Sequence, residues 1–132
     1  MLDPFKSQEE RFFWCMVNTL PQVMPEFAGT RVITAMYEAF SLRLGSTTYT
    51  PDFLVQFVSG NGFVCVLFEI KGSKKQKGYR ETRAKLREAA SLYPMFVFCE
   101  VLVNAKSSSF ESFEILSLPP LPYLYNSIKE NK

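Results

Sequence analysis

An acid, Asp52, heads the apolar run "DFLVQFV" (52–58), while Glu69 and Lys71 stand one residue apart at the end of a still more apolar run, "FVCVLFEIK" (63–71). Side chains alternate along a strand, so Glu69 and Lys71 share a face, about 6.5–7 Å apart. Between the runs lies "SGNG" (59–62), whose glycines and asparagine suit a hairpin turn. A hairpin lays the start of the first strand beside the end of the second, so Asp52 is expected next to Glu69 and Lys71. Two carboxylates on neighbouring strands, in a chain without histidine, suit a hard cation such as Mg²⁺. That ion takes oxygen ligands, usually only one or two of them protein carboxylates. A lysine beside it can hold, orient or deprotonate a water, and the cation neutralises charge on a phosphate under attack. These parts suit phosphodiester hydrolysis.

Charge along the chain points the same way. Residues 71–87, "KGSKKQKGYRETRAKLR", hold eight of the fifteen lysines and arginines against one acid, Glu81. A phosphate backbone would meet such a segment favourably, and a solvated loop and helix face explains the same charges. Lacking histidine, the chain has neither Ser-His nor Cys-His catalysis, and a structural zinc site is not expected.

The elements that must position these groups follow from pattern. "SQEERFFWCMVNTL" (7–20) is expected to be a helix, capped by Ser7, with Glu10 at the capping-box position and Pro21 after its end. Residues 21–38 carry two prolines and a glycine, then a short segment open to helix or strand. From Phe40 the residues alternate, predicting a half-buried strand over 40–44, and "GSTTYT" is a loop. Strands at 52–58 and 63–71 follow, the latter apolar on both faces like a central strand. Residues 79–93 predict a helix, with Leu86, Ala89, Ala90 and Tyr93 against the sheet and Arg80, Arg83 and Arg87 outward. "MFVFCEVLV" (95–103) is a further buried strand, "FESFEILSL" an edge strand, and "PPLPYLYNSIKENK" a proline-punctuated tail. A helix between the third and fourth strands implies a right-handed parallel crossover in a sheet otherwise built of hairpins.

The chain is 132 residues long, 47% hydrophobic and 15% aromatic, which predicts one folded domain over 1–132. No run approaches the roughly 20 apolar residues of a membrane span. The start, "MLDPFKSQEERFF", has no apolar signal region, so secretion is not expected. Cys15, Cys65 and Cys99 each lie in an apolar segment and predict buried free thiols in a reducing cytoplasm.

"Pro51-Asp52 … Glu69-Ile70-Lys71" resembles the signature of the PD-(D/E)XK nuclease superfamily. The context "YTPDFLV … FEIKG" is particularly similar to phage endonuclease I-type Holliday junction resolvases and to transposase endonuclease subunits. The resemblance spans roughly residues 7–103, and its specific part is 49–72. It implies an α/β fold with a restriction-endonuclease-like core, a mixed central sheet flanked by helices in the order αβββαβ. It further implies a Mg²⁺-dependent endonuclease, with Mn²⁺ as a substitute, that cuts branched or structured DNA as a homodimer. Such an enzyme would work in the cytoplasm, that of the host if phage-encoded. Carried over, Asp52 and Glu69 bind metal with the Ile70 carbonyl, and Lys71 is the catalytic lysine. A first-helix glutamate, Glu10 in preference to Glu9, would join them. Lys74, Lys75, Lys77, Arg80, Arg83 and Lys85 would meet DNA, Lys85 reaching it from the second helix. The tail departs from the resolvases in lacking a strongly basic C-terminus. Two other readings use the same residues: an endonuclease subunit of a transposase or restriction-type complex, and a non-catalytic nucleic-acid-binding protein with this fold.

Some of these residues have plainer explanations. Capping explains Glu10 as well as metal binding does. Trp14 and Phe12, Phe13, Phe53, Phe57, Phe63 and Phe68 are expected in the core rather than as base-stacking platforms. Tyr49 borders Asp52, where strand propensity and a DNA contact account for it equally. "PPLP" suits a terminal turn packed on the sheet better than a polyproline ligand.

Overall fold

The computed structural model describes residues 3–60 and 62–116. Ser7 caps the first helix, α1 (Gln8–Met16), its hydroxyl accepting from the Glu10 N–H at 3.1 Å, and Glu9 and Glu10 suit the positive end of the helix dipole. The expected single helix over 7–20 is broken. After α1 comes a tight turn of 3₁₀ helix at Val17–Thr19 and then a short helix, α2 (Leu20–Val23). Pro21 does not end a helix. It sits in the first turn of α2, where a missing N–H costs nothing.

The ambiguous segment resolves as a strand, β1 (Arg31–Tyr37). The expected strand at 40–44 does not join the main sheet. Leu42–Leu44 (β2) and Thr47–Tyr49 (β3), the latter inside the expected loop, form a separate two-stranded ribbon. The main sheet has five strands in the order β1, β4 (Phe53–Ser59), β5 (Gly62–Lys71), β6 (Val97–Asn104) and β7 (Ser109–Ile115). It is mixed: β5 and β6 run parallel, linked through helix α3 (Tyr79–Leu92), and every other pair is antiparallel. Sequence and structure agree on an α/β chain with an edge strand near residue 110. The last residues expected in that strand, 117–118, and the proline-punctuated tail lie outside the described residues.

Alternation splits the sheet's side chains between two layers. Phe53, Val55, Phe57, Val66, Phe68, Ile70, Cys99 and Val101 face α1 and α2 and pack with Phe13, Leu20 and Met24. Leu67 and Phe98 face the opposite way, against Leu86 and Ala89 of α3 and against Leu42, Leu44 and Tyr49 of the ribbon. The second core fixes α3 and the ribbon beside the same end of the sheet.

Not every apolar residue is buried. Phe63 is 59% exposed and Trp14 39%, so neither belongs to the core expected for them; Trp14 lies flat over Phe53 at the rim. Among the cysteines only Cys99 is buried; Cys15 is exposed and Cys65 partly so, and all three are free thiols. Residue 15 falls on the outer face of α1, because two positions along a helix turn it roughly 200° away from inward Phe13. No helix among the described residues is long and apolar enough to cross a membrane.

Phe13 anchors α1, its ring 4.8 Å from that of Phe53 and 5.0 Å from that of Phe68. Phe13→Ala is expected to cost about 3–5 kcal/mol of unfolding free energy, read from urea denaturation.

Candidate active site

The β4–β5 hairpin pairs Phe53 with Phe68, so the residue before β4 comes to lie beside Glu69. Asp52 extends the ladder by one step with its side chain. Its Oδ2 accepts the Ile70 N–H at 2.8 Å, and its own carbonyl accepts the Glu38 N–H at 2.8 Å. A residue's N–H and C=O leave a strand on the same side, so the Ile70 carbonyl also faces β4 and Asp52. Glu69 is 5% exposed. Its Oε1 accepts the Tyr49 hydroxyl at 2.6 Å, and its Oε2 lies 3.3 Å from Lys71 Nζ. Asp52, Glu69 and Lys71, separated by up to nineteen positions in the chain, thus meet on the α3 face at the head of the sheet.

Burial, and then the neighbouring Glu69 charge, push the Asp52 carboxyl up to about 9; the Ile70 N–H pulls the other way. Burial raises Glu69 as well, against the Tyr49 hydroxyl and the Lys71 ammonium, which favour its charged form. Two carboxyls held this close favour sharing a proton, and a divalent cation can take that proton's place. The donor set therefore fits Mg²⁺: two carboxylates and one backbone carbonyl, the remaining positions left to water and substrate. Among the described residues no group of three acidic or cysteine side chains is gathered as a ready-made cage.

Glu10 comes from α1, on the other side of the sheet. It is 7% exposed, and its Oε1 accepts both the Lys6 N–H at 2.8 Å and the Tyr37 hydroxyl at 2.9 Å. It caps the helix by reaching back to Lys6 rather than to Ser7. Its charge still raises the proton affinity of Asp52, so it belongs to the same electrostatic neighbourhood without joining the pair. Glu9 approaches differently. A Cβ on Gly72 would stand 3.1 Å from Glu9 Oε2, so the glycine after Lys71 leaves the room in which Glu9 lies over the end of β5.

The basic segment divides. Lys74, Lys75, Lys77 and Arg80 are exposed on the loop after β5 and the first turn of α3, where Lys74, Lys75 and Arg80 line a hollow of about 450 Å³. Lys85 is half-buried. Arg83, expected outward with Arg80 and Arg87, turns inward. Its Nη2 lies 2.6 Å from Glu114 Oε2, and its Nη1 lies 3.0 Å from Glu100 Oε1 at ion-pair distance, without an aligned hydrogen bond. Tyr79 donates to the same Glu100 oxygen at 2.8 Å. Helical spacing alone could not show that a buried acid waited beneath Arg83. Yet Glu100 was visible by the signal that marks Glu69, an acid inside an apolar strand, and it pairs with Glu69 in register. Tyr49 carried no such signal. It is buried under the ribbon, not turned to solvent for a DNA contact. A hollow of about 570 Å³ between α3 and β7 is lined by Arg87, Pro94, Glu114 and Ile115, without Asp52 or Glu69.

Set against known proteins, the chain matches no protein-family model, no curated protein and no solved structure.

The raised carboxyls carry a stability signature. Both hold protons more tightly in the folded chain than in the unfolded one. Their contribution is full below about pH 4 and is lost as pH rises, for Asp52 towards about 9. In metal-free buffer the melting temperature is expected to fall from pH 5 to pH 9, and Asp52→Asn to flatten that fall, as read by thermal denaturation.

Proposed function

We propose that this protein is a Mg²⁺-dependent endonuclease that hydrolyses phosphodiester bonds in DNA, built on a restriction-endonuclease-like core. One observation carries the reading. A half-buried acid, Asp52, a buried one, Glu69, and a lysine converge where a strand ends, and the next residues of the chain form an exposed cationic loop. A site with two acids to one lysine attracts a divalent cation, and the loop attracts the polyanion. Glu100, the buried acid paired with Glu69 in register, is by contrast matched by Arg83.

Asp52, Glu69 and the Ile70 carbonyl would hold the Mg²⁺. When bound, it supplies charge neutralisation at the phosphate under attack and makes water a better nucleophile. Lys71 holds and orients the attacking water through its ammonium group, which Glu69 keeps at the rim of the site. Lys74, Lys75, Lys77 and Arg80 bind flanking phosphates. As the water oxygen bonds to phosphorus, the bond from phosphorus to one sugar oxygen breaks, leaving a phosphate monoester and a hydroxyl. The similarity of "YTPDFLV … FEIKG" to junction resolvases supports branched DNA as substrate and a homodimer as the working unit. One such domain carries one site, and symmetric cutting of two strands needs two.

Cleavage of a four-way junction, a flap, a linear duplex and single-stranded DNA in Mg²⁺ tests this directly. Asp52→Ala and Lys71→Ala are each expected to lower cleavage at least about 100-fold with the circular dichroism spectrum retained. Undiminished cutting by both variants would refute the assignment. DNA binding that weakens with salt, with no cutting and no cation site, would mark a binding protein instead. Sedimentation of a fully active monomer would remove the dimer.

A further inference from the structure

We propose that Tyr49 is a positioning residue for the cation site, and that the β2–β3 ribbon is the device that delivers it. This rests on the reading of Asp52 and Glu69 as cation ligands.

The ribbon does not extend the main sheet. It packs on α3 and on Leu67 through Leu42, Leu44 and Tyr49, all buried. Tyr49, its last residue, is 4% exposed and sends its hydroxyl to Glu69 Oε1 at 2.6 Å. The other oxygen, Oε2, lies 3.3 Å from Lys71 Nζ. Glu69 is thus held at both oxygens, by two groups that constrain it differently. Lys71 sits on the same strand at the rim and moves with β5. Tyr49 comes from a separate element and locks the carboxylate plane against a rigid ring. Without the Tyr49 hydroxyl, Lys71 alone would leave the plane free to rotate about the Cγ–Cδ bond. A cation held by Asp52 and Glu69 would bind more tightly with that plane already fixed, since freezing it afterwards costs affinity.

A tyrosine suits this task better than a basic residue. It satisfies one buried oxygen without cancelling the charge a cation must meet. The short link between Tyr49 and Asp52, only Thr50 and Pro51, places both groups by a single chain excursion: the ribbon fixes one and the start of β4 fixes the other.

Mn²⁺ binding to the whole chain, followed by titration calorimetry, tests the inference without relying on catalysis. Tyr49→Phe keeps the ring and removes the hydroxyl, and is expected to weaken Mn²⁺ binding about 10- to 100-fold. Cleavage by this variant should recover at high Mg²⁺. Tyr79→Phe removes a comparable hydroxyl bond to Glu100, away from the carboxylate pair, and is expected to leave Mn²⁺ affinity unchanged even where it lowers the melting temperature. Unchanged affinity in Tyr49→Phe, or equal losses in both variants, overturns the positioning role while leaving the cation site intact. No Mn²⁺ binding by the wild-type chain overturns the site itself and the inference with it.

Discussion

Phe53 pairs with Phe68 in the β4–β5 hairpin, and this register decides which face of the sheet carries charge. A slip of one residue would send Asp52 towards α1 and part it from Glu69. Apolar patterning alone does not prevent the slip, because β5 is buried on both faces along Val66–Ile70. The hairpin closes tightly, with Ser59 opposite Gly62, and the Asp52 carboxylate accepts the Ile70 N–H at the far end. The register is therefore pinned at both ends, once by a turn and once by a residue of the site. Whatever this site does, its geometry and the fold's central pairing are not separable.

Three acids are buried among the described residues: Glu10, Glu69 and Glu100. A buried carboxylate without partners costs several kcal/mol, and each of these receives a tyrosine hydroxyl from another element. Tyr37 joins β1 to α1, Tyr49 joins the ribbon to β5, and Tyr79 joins α3 to β6. The same bonds that satisfy the acids tie the layers to the sheet. What separates the candidate site from an internal ion pair is the charge balance around each acid. Arg83 matches Glu100 and extends to Glu114, whereas at the Asp52–Glu69 pair Lys71 pairs with Glu69 and Asp52 also feels Glu10. The deficit of positive charge is local to the end of β5, and the exposed lysines begin three residues later.

Much of this was legible in the chain itself. Acids at the ends of apolar runs, a Gly-Asn-Gly turn between them and a basic stretch after the second run are local facts. Alternation and hairpin closure turn them into a meeting of Asp52, Glu69 and Lys71 without further information. The amphipathic helix at 79–92 and the parallel strand after it are equally local, since helical period and the crossover rule both act within one stretch.

Tertiary packing decided the rest. The strand at 31–37 was ambiguous because an irregularity between Val32 and Thr34 breaks its alternation, and only pairing with β4 settles it. Residues 40–44 alternate as a sheet strand should, yet α3 already offers Leu86 as a partner, so they fold onto it as a ribbon. Arg83 lies on the basic side of a helical wheel and still turns inward, because an ion pair with Glu100 outweighs solvation. Glu9 and Glu10 are adjacent in the chain, but Tyr37 and the Lys6 N–H hold one while the space above Gly72 admits the other. Sequence by itself determined which residues could meet, because strand period and turn chemistry are local. Tertiary structure alone decided which groups hold them, because a buried acid is satisfied by whatever donor the packing brings within reach.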